Sequence, residues 1–204
     1  MIKNIVFDLG RVIYNYWPQE DLNNLGYDEA RADRLMECIF DNPLWMEIDR
    51  GFYTVPEYAD KICADFPAEA EDIRRVLSKD WVDRVLTIMP PSLEFFYGVK
   101  RRGYNTYILS NFGEDDFAHI RARDAFFFEQ MDGMVISSHE KVIKPDPAIY
   151  FCLLNRYGLV PEETLFIDDS ERNIEAARAL GIHGIVFTGI DDCKARFELI
   201  VSQN

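Results

Sequence analysis

Five short apolar and β-branched runs, Ile2 to Phe7, Tyr104 to Leu109, Gly133 to Ile136, Thr164 to Ile167 and Gly184 to Phe187, constrain this chain more than any other feature. Each is near-continuously apolar, the pattern of strands covered on both faces; a strand with one wet face alternates instead. Helical stretches separate the later runs. One spans about Ser92 to Arg102 and stops at Gly103. A second opens at Asp146-Pro147, a capping residue followed by proline at the first helical position, and ends at Gly158. A third takes Ser170 as N-cap and ends at Gly181, with Ile174, Ala177 and Leu180 on one face. Strand alternating with helix predicts an α/β fold with a doubly wound, parallel, five-stranded, Rossmann-like sheet. Right-handed crossovers then give the strand order 5-4-1-2-3.

The gap between the first and second runs breaks this rhythm. Residues 15–88 contain no convincing strand but several amphipathic stretches, Glu29 to Phe40, Val55 to Phe66 and Ala68 to Val76 among them. The segment is too long for a simple crossover. It reads as an inserted helical cap, with residues 1–14 and 89–204 forming the α/β core.

Composition narrows the partners. A formal net charge of −14 argues against nucleic acid, whose binding needs a basic face. No window approaches the roughly 18 apolar residues of a membrane span. The start, Met1-Ile2-Lys3-Asn4-Ile5-Val6-Phe7-Asp8, reaches an acid where a signal peptide needs a longer apolar core, so a cytoplasmic protein is expected. Cys38, Cys63, Cys152 and Cys193 are scattered and read as buried reduced thiols. A small phosphorylated metabolite remains a suitable partner provided its pocket is locally positive, and the chain is expected to act as a monomer or homodimer.

In open α/β sheets ligands bind beyond the carboxyl ends of the strands. Asp8 follows the first strand, Ser110-Asn111 the second and Asp168-Asp169 the fourth, while Lys144 lies in the loop after the third. Singly, these residues read as turns, caps or a surface lysine. Adjacent carboxylates at the end of a buried strand are harder to place, because they repel each other unless a cation is present. The group makes chemical sense together. A carboxylate such as Asp8 can attack phosphorus and form an aspartyl phosphate. Mg²⁺ prefers oxygen ligands, often one or two carboxylates plus substrate phosphate. Lys144 would add a point charge, and the Ser110 hydroxyl and Asn111 backbone N–H would donate to phosphate oxygens.

Phe7-Asp8-Leu9-Gly10-Arg11-Val12, Leu109-Ser110-Asn111, Lys144-Pro145-Asp146 and Phe166-Ile167-Asp168-Asp169-Ser170 with Asn173 resemble, in order, the four motifs of the haloacid dehalogenase-like hydrolases. Within them the chain is most similar to α-D-glucose-1-phosphate phosphatases and the amino-terminal phosphatase domain of soluble epoxide hydrolases, which also carry an Arg50-Gly51 type of signal in a helical cap. The resemblance implies a Mg²⁺-dependent phosphatase with Asp8 as nucleophile and metal ligand. It implies metal contacts from the Gly10 carbonyl and chiefly Asp169, with Asp168 assisting, and Asn173 holding the loop or Lys144.

Gly10 departs from the superfamily pattern, which usually has a second aspartate there as general acid/base. Arg11 replaces a small or amide residue and is expected to face solvent or, in the alternative, to contact phosphate. Substrate choice should lie in the cap, with Trp17, Trp45, Glu47 and Arg50 as candidates beside Tyr14 and Tyr16, although aromatics at helical spacing commonly form core. His139 is a candidate replacement proton donor that otherwise reads as a surface-loop histidine. The rival functions are a 2-haloacid dehalogenase, whose attack on carbon needs no cation, and a non-catalytic phosphate-ligand-binding protein in which Gly10 marks lost turnover.

Overall fold

The structure, a computed structural model, describes residues 1–203. Strand β1 (Asn4–Phe7) is followed by seven helices: α1 (Pro18–Asn24), α2 (Glu29–Ile39), α3 (Trp45–Asp49), α4 (Val55–Asp65), α5 (Ala70–Val76), α6 (Trp81–Val85) and α7 (Pro90–Arg101). Then come β2 (Asn105–Ser110), α8 (Glu114–Arg123), α9 (Ala125–Phe128), β3 (Gly133–Ile136), α10 (Ser137–Glu140) and α11 (Pro147–Tyr157). The chain ends with β4 (Thr164–Asp168), α12 (Glu171–Ala179), β5 (His183–Val186) and α13 (Ile190–Gln203).

The strands form one parallel sheet in the order β3-β2-β1-β4-β5, the expected order read from the other edge. Its continuous apolar strands supply two cores. Ile5, Phe7, Ile108, Leu165 and Ile167 face one side with Phe96, Phe127 and Phe197. Val6, Leu109, Val135 and Phe166 face the other with Ile149, Leu153 and Ile174. Each such side chain, fully buried, contributes about 1.5–3 kcal/mol.

Helix ends follow local chemistry. The Asp146 side chain accepts from the Ala148 N–H at 2.9 Å, and Gly158 closes α11 at φ +63°. Helix α7 starts two residues before the predicted Ser92, because Pro90 and Pro91 fit a first turn whose N–H groups have no partner anyway. In α4, Thr54 and Glu57 form a reciprocal capping box. Cys38, Cys63 and Cys193 are buried, Cys152 is half-buried, and all four are free thiols. Among the described residues no helix is long and apolar enough to cross a membrane.

Two features tie the helical insertion to the sheet. At its neck the outgoing and returning chains run side by side: Asn15 N–H donates to Thr87 O at 2.8 Å and Met89 N–H to Ile13 O at 2.9 Å. The second is a seat at the end of α3. Ser137 Oγ donates to Asp49 O at 2.5 Å and accepts from Phe112 N–H at 2.9 Å, while Lys141 Nζ donates to Gly51 O at 2.6 Å. Gly51 has φ +70°, and a Cβ there would sit 2.6 Å from Ser138 O. Gly51→Ala is therefore expected to destabilise by about 1–3 kcal/mol, read as a lower urea midpoint at unchanged slope. A variant with the original midpoint would show that the seat yields freely.

Candidate active site

Parallel strands end together, so residues far apart in sequence converge at the carboxyl edge. Asp8 leaves β1 held by its N–H to Ile167 O at 2.9 Å. Its Oδ1 accepts from Leu9 N–H at 2.7 Å, from Ser110 Oγ at 2.7 Å and from Lys144 Nζ at 2.9 Å. Asp8 Oδ2 has no protein partner among the described residues. One oxygen is thus locked in place and the other is left for chemistry.

Lys144 is 3% exposed, and its ammonium is fully used. It donates to Asp168 Oδ2 at 2.6 Å and to Leu109 O at 3.0 Å as well as to Asp8. The Asn111 side chain pins the loop that delivers it, accepting from Lys144 N–H at 2.8 Å and donating to Lys144 O at 3.1 Å. Burial pushes the lysine pKa down, but Asp168 and Asp8 overcome this and hold it above the ordinary value. Burial pushes Asp8 upward, Lys144 opposing and Asp168 reinforcing the rise.

The adjacent acids differ. Asp168 is fully buried and saturated by Lys144, by Ser170 N–H at 2.8 Å and by the Asn173 amide at 3.0 and 3.1 Å. Of the two partners the resemblance implied for Asn173, the loop and Lys144, it is the loop residue Asp168 that the amide contacts. Asp169 is partly open, with Arg11 Nη1 3.7 Å away. Burial and the neighbouring Asp168 raise its pKa, with Arg11 and Lys144 pulling the other way. Asp8, Asp168 and Asp169 each bring one carboxylate oxygen within 4.8 Å of the others. The carbonyl of Gly10, two residues after Asp8, accepts no hydrogen bond among the described residues. Three carboxylates and a carbonyl are hard oxygen donors, and they suit Mg²⁺.

A cavity of about 300 Å³ opens above this edge. Asp8, Gly10, Arg11, Asn111, Phe112 and Asp169 line it from the sheet side; Tyr16, Trp45, Asp49, Trp81 and Leu86 line it from the insertion. Burial pushes the Asp49 carboxyl up to about 7, against Lys144 and with Asp8 and Asp116 adding to the rise. Sequence reasoning passed over Asp49, Trp81, Leu86 and Phe112.

Several expectations need correction. Trp17 lies outside this cavity, 51% exposed, its ring supporting the Arg11 guanidinium at 4.6 Å. Glu47 and Arg50 are occupied with each other as an ion pair one helical turn apart and do not line the cavity. Tyr14 is core, its hydroxyl donating to Asp124 at 2.8 Å. Arg11 is exposed yet reaches the site: at φ +58° it turns back to donate to Tyr16 O at 3.2 Å and flank Asp169. His139 is exposed, edge-on to Phe117, and away from the cavity, so it supplies no proton there. The Ser110 hydroxyl is directed to Asp8, not left free for a phosphate oxygen.

Comparison with known proteins agrees with this geometry. Residues 2–181 match the family model described as haloacid dehalogenase-like hydrolase. Mouse acyl-CoA dehydrogenase family member 10 is 26% identical over 151 residues, which are 71% of this chain; the chain spans only 14% of that protein. The D-ribitol-5-phosphate phosphatase of Bacteroides thetaiotaomicron is 26% identical over 191 residues, covering 89% of each chain. A solved haloacid dehalogenase family enzyme from the same organism, in complex with magnesium and inorganic phosphate, superposes with a TM-score of 0.69 at 25% identity, covering 91% of this chain and 93% of that one.

Proposed function

We propose, from the premise that this chain belongs to the haloacid dehalogenase-like hydrolases, that it is a Mg²⁺-dependent phosphatase acting in the cytoplasm on a small phosphate monoester. The observation that carries this reading is the cluster of Asp8, Asp168 and Asp169 oxygens within 4.8 Å, opening on a cavity while Asp8 Oδ2 stays unbonded. Sugar and polyol phosphates fit a cavity of about 300 Å³ at the small end of ligand pockets. The relative named for D-ribitol-5-phosphate favours the same class.

In this reading Asp8 Oδ2 attacks phosphorus, the bond to the leaving oxygen breaks, and an aspartyl phosphate forms that water then hydrolyses. Mg²⁺ would be held by Asp8, Asp169 and the Gly10 carbonyl, with Asp168 behind them, and would neutralise the incoming phosphate. Such a charge is needed. Among the described residues Asp8, Asp168 and Asp169 face only Lys144 and Arg11 at the strand ends, and Lys144 is already spent on two of them. Ser110 and Lys144 orient the nucleophile, and Asn111 and Asn173 hold Lys144 and Asp168 in register. Residues 15–88 serve as the cap that selects the substrate, and residues 1–14 with 89–204 as the catalytic core. Support comes from Tyr16, Trp45, Asp49, Trp81 and Leu86 closing one cavity with Asp8.

A panel of phosphorylated metabolites assayed with Mg²⁺ and with chelator tests the reading. EDTA is expected to abolish turnover and Mg²⁺ to restore it. Thermal unfolding titrated with Mg²⁺ is expected to report weaker binding in Asp169→Asn than in Asp168→Asn. Asp168→Asn should instead lower the melting temperature without metal, because it removes a partner of buried Lys144. Full activity in chelator, with halogenated acids as substrates, would place the chain among cation-independent dehalogenases instead.

A further inference from the structure

Gly10 stands where an acid would serve the leaving group, and among the described residues nothing on the sheet side of the cavity replaces it. The carboxyls there are committed: Asp8 as nucleophile, Asp168 to Lys144 and Asn173, and Asp169 to the cation site. From the structure, and resting on the phosphatase reading above, we infer that Asp49 of the helical insertion donates the proton to the departing oxygen.

The geometry points there from three sides. Asp49 lines the same cavity as Asp8 and Gly10, approaching from the insertion where the non-phosphate part of a substrate must lie. Its carboxyl has no hydrogen-bond or ion-pair partner among the described residues, whereas its neighbours on α3, Glu47 and Arg50, neutralise each other. Its backbone is fixed on the sheet side: Ser137 holds Asp49 O, Lys141 holds Gly51 O, and Ile48 Cγ2 packs so tightly on Gly113 that a Cβ there would lie 2.7 Å away. An acid that must meet a leaving atom within hydrogen-bond reach needs this kind of anchorage. The groups whose charge it feels are Lys144 and Asp8 below and Asp116 of α8 beside it, with the half-buried Tyr16 phenol also near. A carboxyl held near 7 by burial is protonated over the acidic half of the neutral range and can still give up its proton.

The step balances. Asp8 Oδ2 bonds to phosphorus as the ester P–O bond breaks, its electron pair goes to the leaving oxygen, and the Asp49 proton neutralises it as an alcohol. The Asp49 carboxylate then takes a proton from the water that attacks the aspartyl phosphate, releasing phosphate and restoring both acids.

The test compares kcat/KM of the unaltered protein and Asp49→Asn, both with Mg²⁺, on an alkyl phosphate and on p-nitrophenyl phosphate, whose phenolate leaves without a proton. Asp49→Asn is expected to lose about 10²–10⁴-fold on the alkyl ester and less than ten-fold on the aryl ester. The fall of the alkyl rate as pH rises through about 7 should vanish in the variant. Adding Gly10→Asp should restore alkyl turnover; a Cβ at Gly10 meets nothing within 4 Å. Equal losses on both esters, or no loss on the alkyl ester, would overturn the assignment while leaving the phosphatase reading intact. If the unaltered protein hydrolyses neither ester, the phosphatase reading falls and takes this inference with it.

Discussion

Asp8→Asn is expected to lower turnover of every phosphate ester by at least about 10³-fold while the protein stays folded. The amide keeps the shape and the locked oxygen: Leu9 N–H, Ser110 Oγ and Lys144 Nζ can still donate to it. What disappears is the unbonded oxygen that attacks phosphorus. Stability follows from the sign of the shift. Burial raises the Asp8 pKa above its unfolded value, so its ionised form opposes folding, and the penalty grows as pH rises through the folded pKa. The metal-free variant should therefore melt at or above the unaltered protein at pH 8, with the difference shrinking toward pH 5. Circular dichroism and a melting curve read the fold, and a metabolite assay reads the chemistry. Substantial remaining turnover would remove the aspartyl-phosphate mechanism.

Lys144→Met should have the largest effect on stability. The lysine is the sole cation touching Asp8 and Asp168 among the described residues, and all three side chains are buried. Removing the one cation leaves two buried carboxyls uncompensated, typically about 3–5 kcal/mol, a large share of the 5–15 kcal/mol that holds an ordinary domain together. For a chain of this size that corresponds to roughly 6–20 °C in melting temperature. The pH dependence has a definite direction. The native Lys144 pKa is raised, so its contribution is complete below the unfolded lysine value near 10.4 and fades as pH climbs through the folded one. Without the lysine, which now opposes the rise, the Asp8 carboxyl is pushed further up, and acidification relieves it. The variant should thus regain stability as pH falls from 8 toward 5. Equal melting temperatures for variant and unaltered protein across that range would show that the cluster is not what holds the strand ends together.

How far the sequence reached depended on whether position followed from strand order. Asp8, Ser110, Lys144 and Asp168 were legible together because parallel strands bring their carboxyl ends to one edge, and the apolar runs identified those ends. The insertion was legible as helical but not in its details. Glu47 and Arg50 were candidates as cap residues preceding Gly51, yet a pair three apart on a helix satisfies itself. That spacing was a usable signal that Asp49, between them, was the acid left over. Ser137 gave no signal: a serine opening a four-residue helix looks like a cap, and only the tertiary contact with Asp49 gives it a role. Arg11 was equally hidden, since nothing in its neighbours announces the positive φ that turns it toward Asp169.

The neck at Asn15 and Thr87 has a consequence for ancestry. The chain crosses from sheet to helices and back through two hydrogen-bonded passages lying side by side. A segment whose ends already meet can change length at little entropic cost, since each doubling of a loop adds only about 0.6 kcal/mol. Whole cassettes can be exchanged there without disturbing the register of the strands beneath. The sheet edge and the insertion are then free to diverge at different rates: strand-end chemistry would be inherited nearly unchanged, while new metabolites are acquired by replacing the roof.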